Sequence, residues 1–266
     1  MKNPHHAASK TGHVSHVSRE TKRRSGTPSV STEHLEGIAT NVCERVARWL
    51  VDTTLRPHSD FLQRIEKMAA TLALWGMHTN LTADASDPAE IAFHVIDSLA
   101  PLAFAAGAYR EELETALATG ASALDLGSGA GFPGLVLAAA FGARFTLAET
   151  RRKRASYLQV AAHEMDLDNV AIEQRRASAR SIVGGFGLVT ARAFGTSTQL
   201  YEIVASALRP GGILLLYASA DQELDMRLDQ VLAQGVTWTY RLPHGERVAT
   251  RKGVLWRKPR AGQIDL

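Results

Sequence analysis

Ala123-Leu-Asp-Leu-Gly-Ser-Gly-Ala-Gly-Phe-Pro-Gly134, followed by Phe145-Thr-Leu-Ala-Glu149, decides the fold of this chain. A short apolar run leads into four glycines within eight residues, and a second apolar run ends on an acid. Glycines at 127, 129, 131 and 134 let the backbone turn sharply and come close to a ligand. An acid about 20 residues beyond such a turn is where a ribose diol is held in nucleotide-type sites. The stretch therefore reads as strand, glycine loop, helix, strand, with an adenosine-containing ligand.

Outward from this point the chain alternates between two periodicities. Strands are expected at 122–126, 144–149, 169–173, 187–191, 212–218, 236–242 and 252–257, and helices at 134–141, 152–165, 197–207 and 221–233. Regular alternation with apolar strands implies a mostly parallel seven-stranded α/β sheet of Rossmann-like type, covered on both faces. The last two strands have only His244-Gly245-Glu246 between them, which predicts an antiparallel hairpin at the sheet edge. Ligands of such sheets bind beyond the carboxyl ends of the strands, which gathers the glycine loop, Glu149, the 175–179 turn and Arg192 around one crevice.

Before residue 119 the pattern is helical. Leu35, Ile38, Val42, Val46 and Leu50 repeat at helix spacing, as do Phe61, Ile65, Met68, Leu72 and Trp75. A third helix is announced by Asp87-Pro88-Ala89-Glu90, with Asp87 as cap, Pro88 at the first position and Glu90 completing a capping box. On that helix His94 and Asp97 lie three apart on one face, within reach of each other. The division is a basic tail over 1–33, a helical region over 34–118 and a catalytic core over 119–266. The tail has no apolar periodicity and reads as disordered.

Composition excludes several classes. No apolar run approaches the ~18 residues of a membrane span, and the N-terminus lacks the apolar segment of a secretory signal. The single cysteine, Cys43, cannot form an internal disulfide, in keeping with a reducing, cytoplasmic setting. The formal charge is +3, but residues 1–30 hold six cations against Glu20, so the rest of the chain is slightly acidic. The tail histidines have no acid or cysteine at ligand spacing, so no metal site is expected.

Gly129-Ala-Gly131-Phe-Pro-Gly134 satisfies a dinucleotide pattern, yet its context argues against a diphosphate. Asp125 sits at the strand end, where its charge repels phosphate, and Pro133 removes a backbone donor. A ligand bearing an ammonium and a sulfonium suits an acid there, and S-adenosylmethionine is such a ligand.

The chain resembles a specific family, the bacterial 16S rRNA guanine-N7 methyltransferases known as RsmG or GidB. The resemblance runs over about 60–260 and includes Leu74-Trp75, Asn80-Leu-Thr82, Phe93-His94-Val-Ile-Asp97-Ser-Leu99 and Leu124 through Gly134. It continues through Glu149, Arg152-Lys-Arg154, Val189-Thr-Ala-Arg192-Ala193 and Leu208-Arg-Pro-Gly-Gly212. It implies a class I S-adenosylmethionine-dependent methyltransferase, expected as a monomer, that methylates N7 of a guanine in the 530 loop of 16S rRNA, naked or in a small-subunit assembly intermediate. On that resemblance Asp125, Gly127, Ser128, Gly129, Gly131 and Phe132 form the cofactor loop, and Glu149 with Thr150 holds the ribose. Ala177 and Ser178 face the adenine, and Arg192 is the candidate catalytic residue beside substrate and cofactor. Candidate RNA contacts are His94, Asp97, Arg151, Arg152 and Arg154, with Lys153 in the same run and a second basic group at Arg247, Arg251, Lys252, Arg257 and Lys258. Phe132 is offered either to the target base or to the core.

Three departures stand out. Arg176-Ala177-Ser178-Ala179 replaces the usual Arg-Ala-Glu-Glu, Tyr217 stands where a lysine is usual, and Gly76 replaces an asparagine. A small-molecule methyltransferase and a non-catalytic ribosome-associated paralogue remain as alternatives.

Overall fold

The computed structural model describes residues 31–182, 184–192, 197–221 and 235–260. Residues 1–30 of the expected tail and 222–233 of the expected last helix lie outside them. Four helices come first: α1 (Thr32–Val51), α2 (Phe61–Gly76), α3 (Pro88–Phe104) and α4 (Ala108–Leu117). Then follow β1 (Ser122–Leu126), α5 (Gly134–Ala140), β2 (Arg144–Glu149), α6 (Arg152–Glu164) and β3 (Val170–Gln174). The chain continues with β4 (Phe186–Arg192), α7 (Ser197–Ala207), β5 (Leu208–Ser219), β6 (Val236–His244) and β7 (Arg247–Arg257).

The strands form one sheet in the order β3-β2-β1-β4-β5-β7-β6. The first five are parallel, and β7 inserts antiparallel between β5 and β6. The expected hairpin is present, with His244 opposite Arg247 and Gly245 at φ 58° in the turn. No described helix is long and apolar enough to cross a membrane.

The main differences from expectation are three boundaries and one helix; β7 starts at Arg247 rather than 252, because it pairs with β6 all the way to the turn. α1 begins at Thr32, inside the stretch read as tail, because the Ser31 hydroxyl accepts the His34 N–H at 3.2 Å and caps it. β5 starts at Leu208 rather than near 212, since Leu208 pairs with Phe186 before the Gly211-Gly212 irregularity. α4 escaped individual notice because only Leu113, Ala116 and Leu117 of its residues are buried.

Strand alternation sorts the core into two layers. Leu124, Leu126, Val189, Ala191, Leu214 and Leu216 face one side, where Leu200, Ile203 and Val204 of α7 cover them. Ala123, Phe145, Leu147, Leu188, Ile213 and Leu215 face the other, under α3, α5 and α6. The same parity puts Asp125, Thr190, Arg192 and Tyr217 on this second face, and on the hairpin Tyr240, His244 and Arg251 join them. The polar residues of the sheet thus collect beneath α3.

α3 is buried on nearly every side, as a helix apolar all round must be. Asp87 caps it, accepting the Ala89 N–H at 2.8 Å, with Pro88 next as expected. The capping box does not form. Glu90 is drawn instead to His94 (3.1 Å) and His244 (2.6 Å), because the hairpin brings His244 against the first turn.

Gly76 also acquires a reason. A Cβ there would collide with the Ala85 Cβ, so an asparagine at the end of α2 does not fit. Gly76→Asn is therefore expected to cost about 1–3 kcal/mol by overpacking. Thermal unfolding checks this: the single variant should melt lower, and adding Ala85→Gly should recover much of the loss.

Candidate functional site

The glycine loop leaves β1 with Gly127 at φ 70°, Gly129 at 54° and Gly131 at 89°, conformations that only glycine adopts without strain. Gly127 and Ser128 donate their amides to the Ala148 carbonyl at 2.9 and 3.2 Å, which binds the loop to the end of β2. Glu149 completes the tie. Its Oε2 accepts the Gly129 N–H at 3.0 Å and its Oε1 the Arg151 N–H at 2.7 Å. Thr150 is exposed beside it, with its hydroxyl 3.4 Å from Oε1.

The glycines have different tasks. A Cβ at Gly131 would strike Leu135 at 2.5 Å, and one at Gly134 would strike Leu147 at 2.3 Å, so these two serve the packing of α5. At Gly129 a Cβ would meet nothing closer than 3.7 Å, which leaves its outer side open to a ligand. An open left-handed glycine beside a carboxylate that keeps acceptor capacity on Oε2 fits an adenosine ligand with its ribose at Glu149.

Other members expected in the loop lie beneath it. Ser128 is buried and donates to the Asp125 carbonyl at 3.1 Å. Asp125 is fully buried, not aimed into the crevice: Oδ1 accepts the Thr190 hydroxyl at 2.7 Å, while Oδ2 has no partner among the described residues. Burial pushes its carboxyl above the usual carboxylate range, against the Thr190 hydrogen bond. Phe132 is 3% exposed, which settles its two readings in favour of packing. At the end of β3, Ala177 packs into the α7 layer. The Ser178 hydroxyl lies 2.9 Å from that of Ser181, and the Ser178 amide donates to Ser181 Oγ at 3.0 Å, so Ser178 braces its own turn.

Arg192, the last residue of β4, reaches this edge with 18% of its side chain exposed. Its guanidinium lies 5.2 Å over the Phe132 ring. Nη1 is 3.5 Å from Asp97 Oδ2 and 3.3 Å from His94 Nδ1. The expected His94–Asp97 pair is replaced by this bridge: His94 turns to Glu90, and Asp97 faces the sheet. Asp97 is fully buried and accepts Arg251 in a fork (Nε 3.1 Å, Nη2 3.0 Å) and the Tyr240 hydroxyl (3.1 Å). It cannot be an RNA contact.

The partners of His94 define its tautomer. Nδ1 faces the Arg192 guanidinium, an obligatory donor, so it accepts there, and Nε2–H donates to Glu90. Burial pushes the imidazole below its ordinary value, against the hydrogen bond to Glu90. A histidine so engaged is a neutral positioner, neither a base nor an RNA cation.

The basic runs also divide. Arg154 donates to the Asn80 carbonyl at 2.8 Å and lies by Gly129, so it is a structural tie, whereas Arg151, Arg152 and Lys153 are exposed. Near the hairpin the second run is mostly used internally. Arg251 serves Asp97, Arg257 pairs with Glu112, and Lys258 donates to the Ala205 and Leu208 carbonyls at 2.5 and 2.7 Å.

Residues 61–240 match the family model of GidB, rRNA small subunit methyltransferase G. The chain belongs to this family. It is 34% identical to a ribosomal RNA small subunit methyltransferase G of Wolinella succinogenes, over 59% of this chain and 74% of that one. It is 30% identical to the Thermotoga maritima protein of the same name, over 79% of this chain and 85% of that one. A solved SAM-dependent O-methyltransferase from T. maritima superposes with a TM-score of 0.46 at 15% identity, covering 64% of this chain and 73% of that one. The sheet and its edge hairpin give the GidB member a class I S-adenosylmethionine-dependent methyltransferase fold.

Sequence reasoning missed Glu90, Tyr217, Tyr240, His244 and Arg251 as parts of this site. The signal was present: each polar strand residue falls at the core-facing parity of its strand. Tyr217 is 3% exposed and donates to the Ser98 carbonyl at 2.9 Å, so a residue at this position meets α3 rather than RNA.

The network also makes a pH prediction. Hydrogen bonds from His94, opposed by burial, and then from His244 hold Glu90 at about 2, against 4.5 for the free group. A depressed carboxylate stabilises the fold above its free value and loses that contribution as pH falls toward its folded value. Burial of His94 acts in the same direction below 6.5. Wild-type melting temperature should therefore fall on acidification, and Glu90→Gln should fall less steeply below pH 4.5. Thermal unfolding across pH 7 to 3 checks it, and parallel curves would contradict the assignment.

Proposed function

We propose that this chain transfers a methyl group from S-adenosylmethionine to N7 of a guanine in the 530 loop of 16S rRNA. One observation carries the reading: an open glycine loop braced by Glu149 shares a sheet edge with a pre-set arginine, Arg192, in a chain of the GidB family. Relatives at 30–36% identity are named ribosomal RNA small subunit methyltransferase G.

When bound, S-adenosylmethionine supplies an electrophilic methyl group on a sulfonium. The chain's own residues would hold it through the Gly127–Gly129 backbone and the spare acceptor capacity of Glu149. Guanine N7 has an in-plane lone pair and no proton, so its attack needs no general base. This matches a site in which His94 is already engaged on both nitrogens. Alignment of the reacting groups then supplies most of the catalysis, an effect worth up to ~7–11 kcal/mol in good intramolecular models. Arg192, fixed by Asp97, His94 and Phe132, reaches the edge with little freedom left to lose, and its role is to orient the substrate. A monomer acting in the cytoplasm without a metal completes the reading.

The test is a map of N7-methylguanosine in small-subunit rRNA from cells with and without the gene. The account expects a methylated guanine in the 530 loop that disappears with the gene and returns with the wild-type copy. Loss at a different guanine would keep the chemistry and change the target. An unchanged map would contradict the function.

A further inference from the structure

The sequence pairs Leu74-Trp75 with Asn80-Leu-Thr82, and the cofactor loop accounts for neither. In the fold Leu74 and Trp75 line a surface groove of about 350 Å³ between the end of α2 and the start of α6, together with His78, Thr79 and Lys153, and Asn80 follows directly on its rim. Its walls are mostly apolar, and Leu74 and the neighbouring Met77 remain 46% and 42% exposed. Trp75 is set edge-on against Tyr157 at 6.0 Å and 64°, which fixes the plane of the indole.

The polar groups of this groove are unused. Among the described residues, the Trp75 indole N–H, the His78 ring, the Thr79 hydroxyl and the Lys153 ammonium have no hydrogen-bond or ion-pair partner. The lining contains no carboxylate. Arg151 and Arg152, exposed next to Lys153, also lack an ion-pair partner among the described residues. Cations at a helix N-terminus oppose the helix dipole, so a run left unpaired there suits an external anion.

The groove neighbours the cofactor loop through Arg154, the residue after Lys153. α6 begins just beyond Glu149, and Arg154 spans from beside Gly129 to the carbonyl of Asn80, the residue after Thr79. Several RNA contacts expected elsewhere are engaged within the protein: Asp97 and Arg251 hold each other, Arg257 pairs with Glu112, and Lys258 donates to backbone carbonyls. A flat aromatic wall, unused donors and a flanking ammonium match an unpaired nucleotide, with its base against the ring and its phosphate at the cation.

We propose that the Trp75–Lys153 groove binds an unpaired nucleotide of the substrate RNA other than the one methylated. This rests on the rRNA methyltransferase reading and adds a second point of hold that fixes the register of the RNA on the enzyme.

The test uses full-length protein and a fluorescent RNA hairpin of the 530-loop sequence, with affinity measured at several salt concentrations. Trp75→Leu should weaken binding about tenfold or more, as expected for loss of one base stack, while Trp75→Phe retains most of it. Lys153→Gln, an exposed change, should weaken binding about two- to fivefold and reduce the salt slope by about one. Affinity for S-adenosylmethionine and the melting temperature of Lys153→Gln should stay at wild-type values. If wild-type protein methylates the RNA and both Trp75→Leu and Lys153→Gln bind it normally, the groove assignment is overturned while the function stands. If the variants lose methylation only of assembled small subunits and bind free RNA normally, the groove meets a protein and the proposal fails. If wild-type protein neither binds nor methylates the RNA, the functional reading fails and takes this one with it.

Discussion

A carboxylate removed from water is unfavourable unless its charge is met by donors at close range. Asp97 has no solvent exposure, and the surrounding fold is arranged around that requirement. Arg251 from β7 meets it with a two-pronged contact, Tyr240 from β6 adds a hydroxyl, and Arg192 from β4 approaches from the cofactor side. One acid on α3 thereby fastens the N-terminal helices to the edge hairpin and to the centre of the sheet. Removing one partner of such a group leaves a buried charge uncompensated, at a cost of about 3–5 kcal/mol.

The same contact has a functional side. Because Arg251 already compensates much of the Asp97 charge, Arg192 is restrained without being sealed in. Phe132 lies under its guanidinium, His94 accepts from it, and Glu90 with His244 holds His94. The chain of contacts runs from the hairpin turn to the crevice. Across the crevice, Glu149 does a parallel job for the glycine loop, binding Gly129 and Arg151 through their amides. Both walls of the site are thus rigid elements, as an enzyme that works by alignment requires.

The sheet was readable in the residues because its signals are local. Apolar runs bounded by glycines, and the Asp87-Pro88 start of α3, depend on neighbours in sequence. The glycine loop and Glu149 were readable for the same reason. The partners of Asp97 were not: Arg251 is distant in sequence, and His94 looked like the natural partner at one helical turn. The sheet prevailed because it offers Asp97 two guanidinium groups and a hydroxyl, while Glu90 is available to the imidazole. Basic runs are harder to read for a related reason. A count of cations does not reveal that Arg154 is committed to Asn80, Arg257 to Glu112 and Lys258 to two carbonyls. Alternation along β4, β5, β6 and β7 carried the missing information, since it assigns the polar residues to the face under α3.

The most direct measurement of the central claim is a double-mutant cycle between Asp97 and Arg192, read as single-turnover methyl transfer to small-subunit rRNA. If Asp97 acts by holding Arg192, then Asp97→Asn and Arg192→Lys should each slow transfer, and the double variant should be little slower than the worse single, with a coupling above about 1 kcal/mol. Fully additive losses would mean that the two residues act independently, and the account of a buried acid presetting the arginine would be wrong.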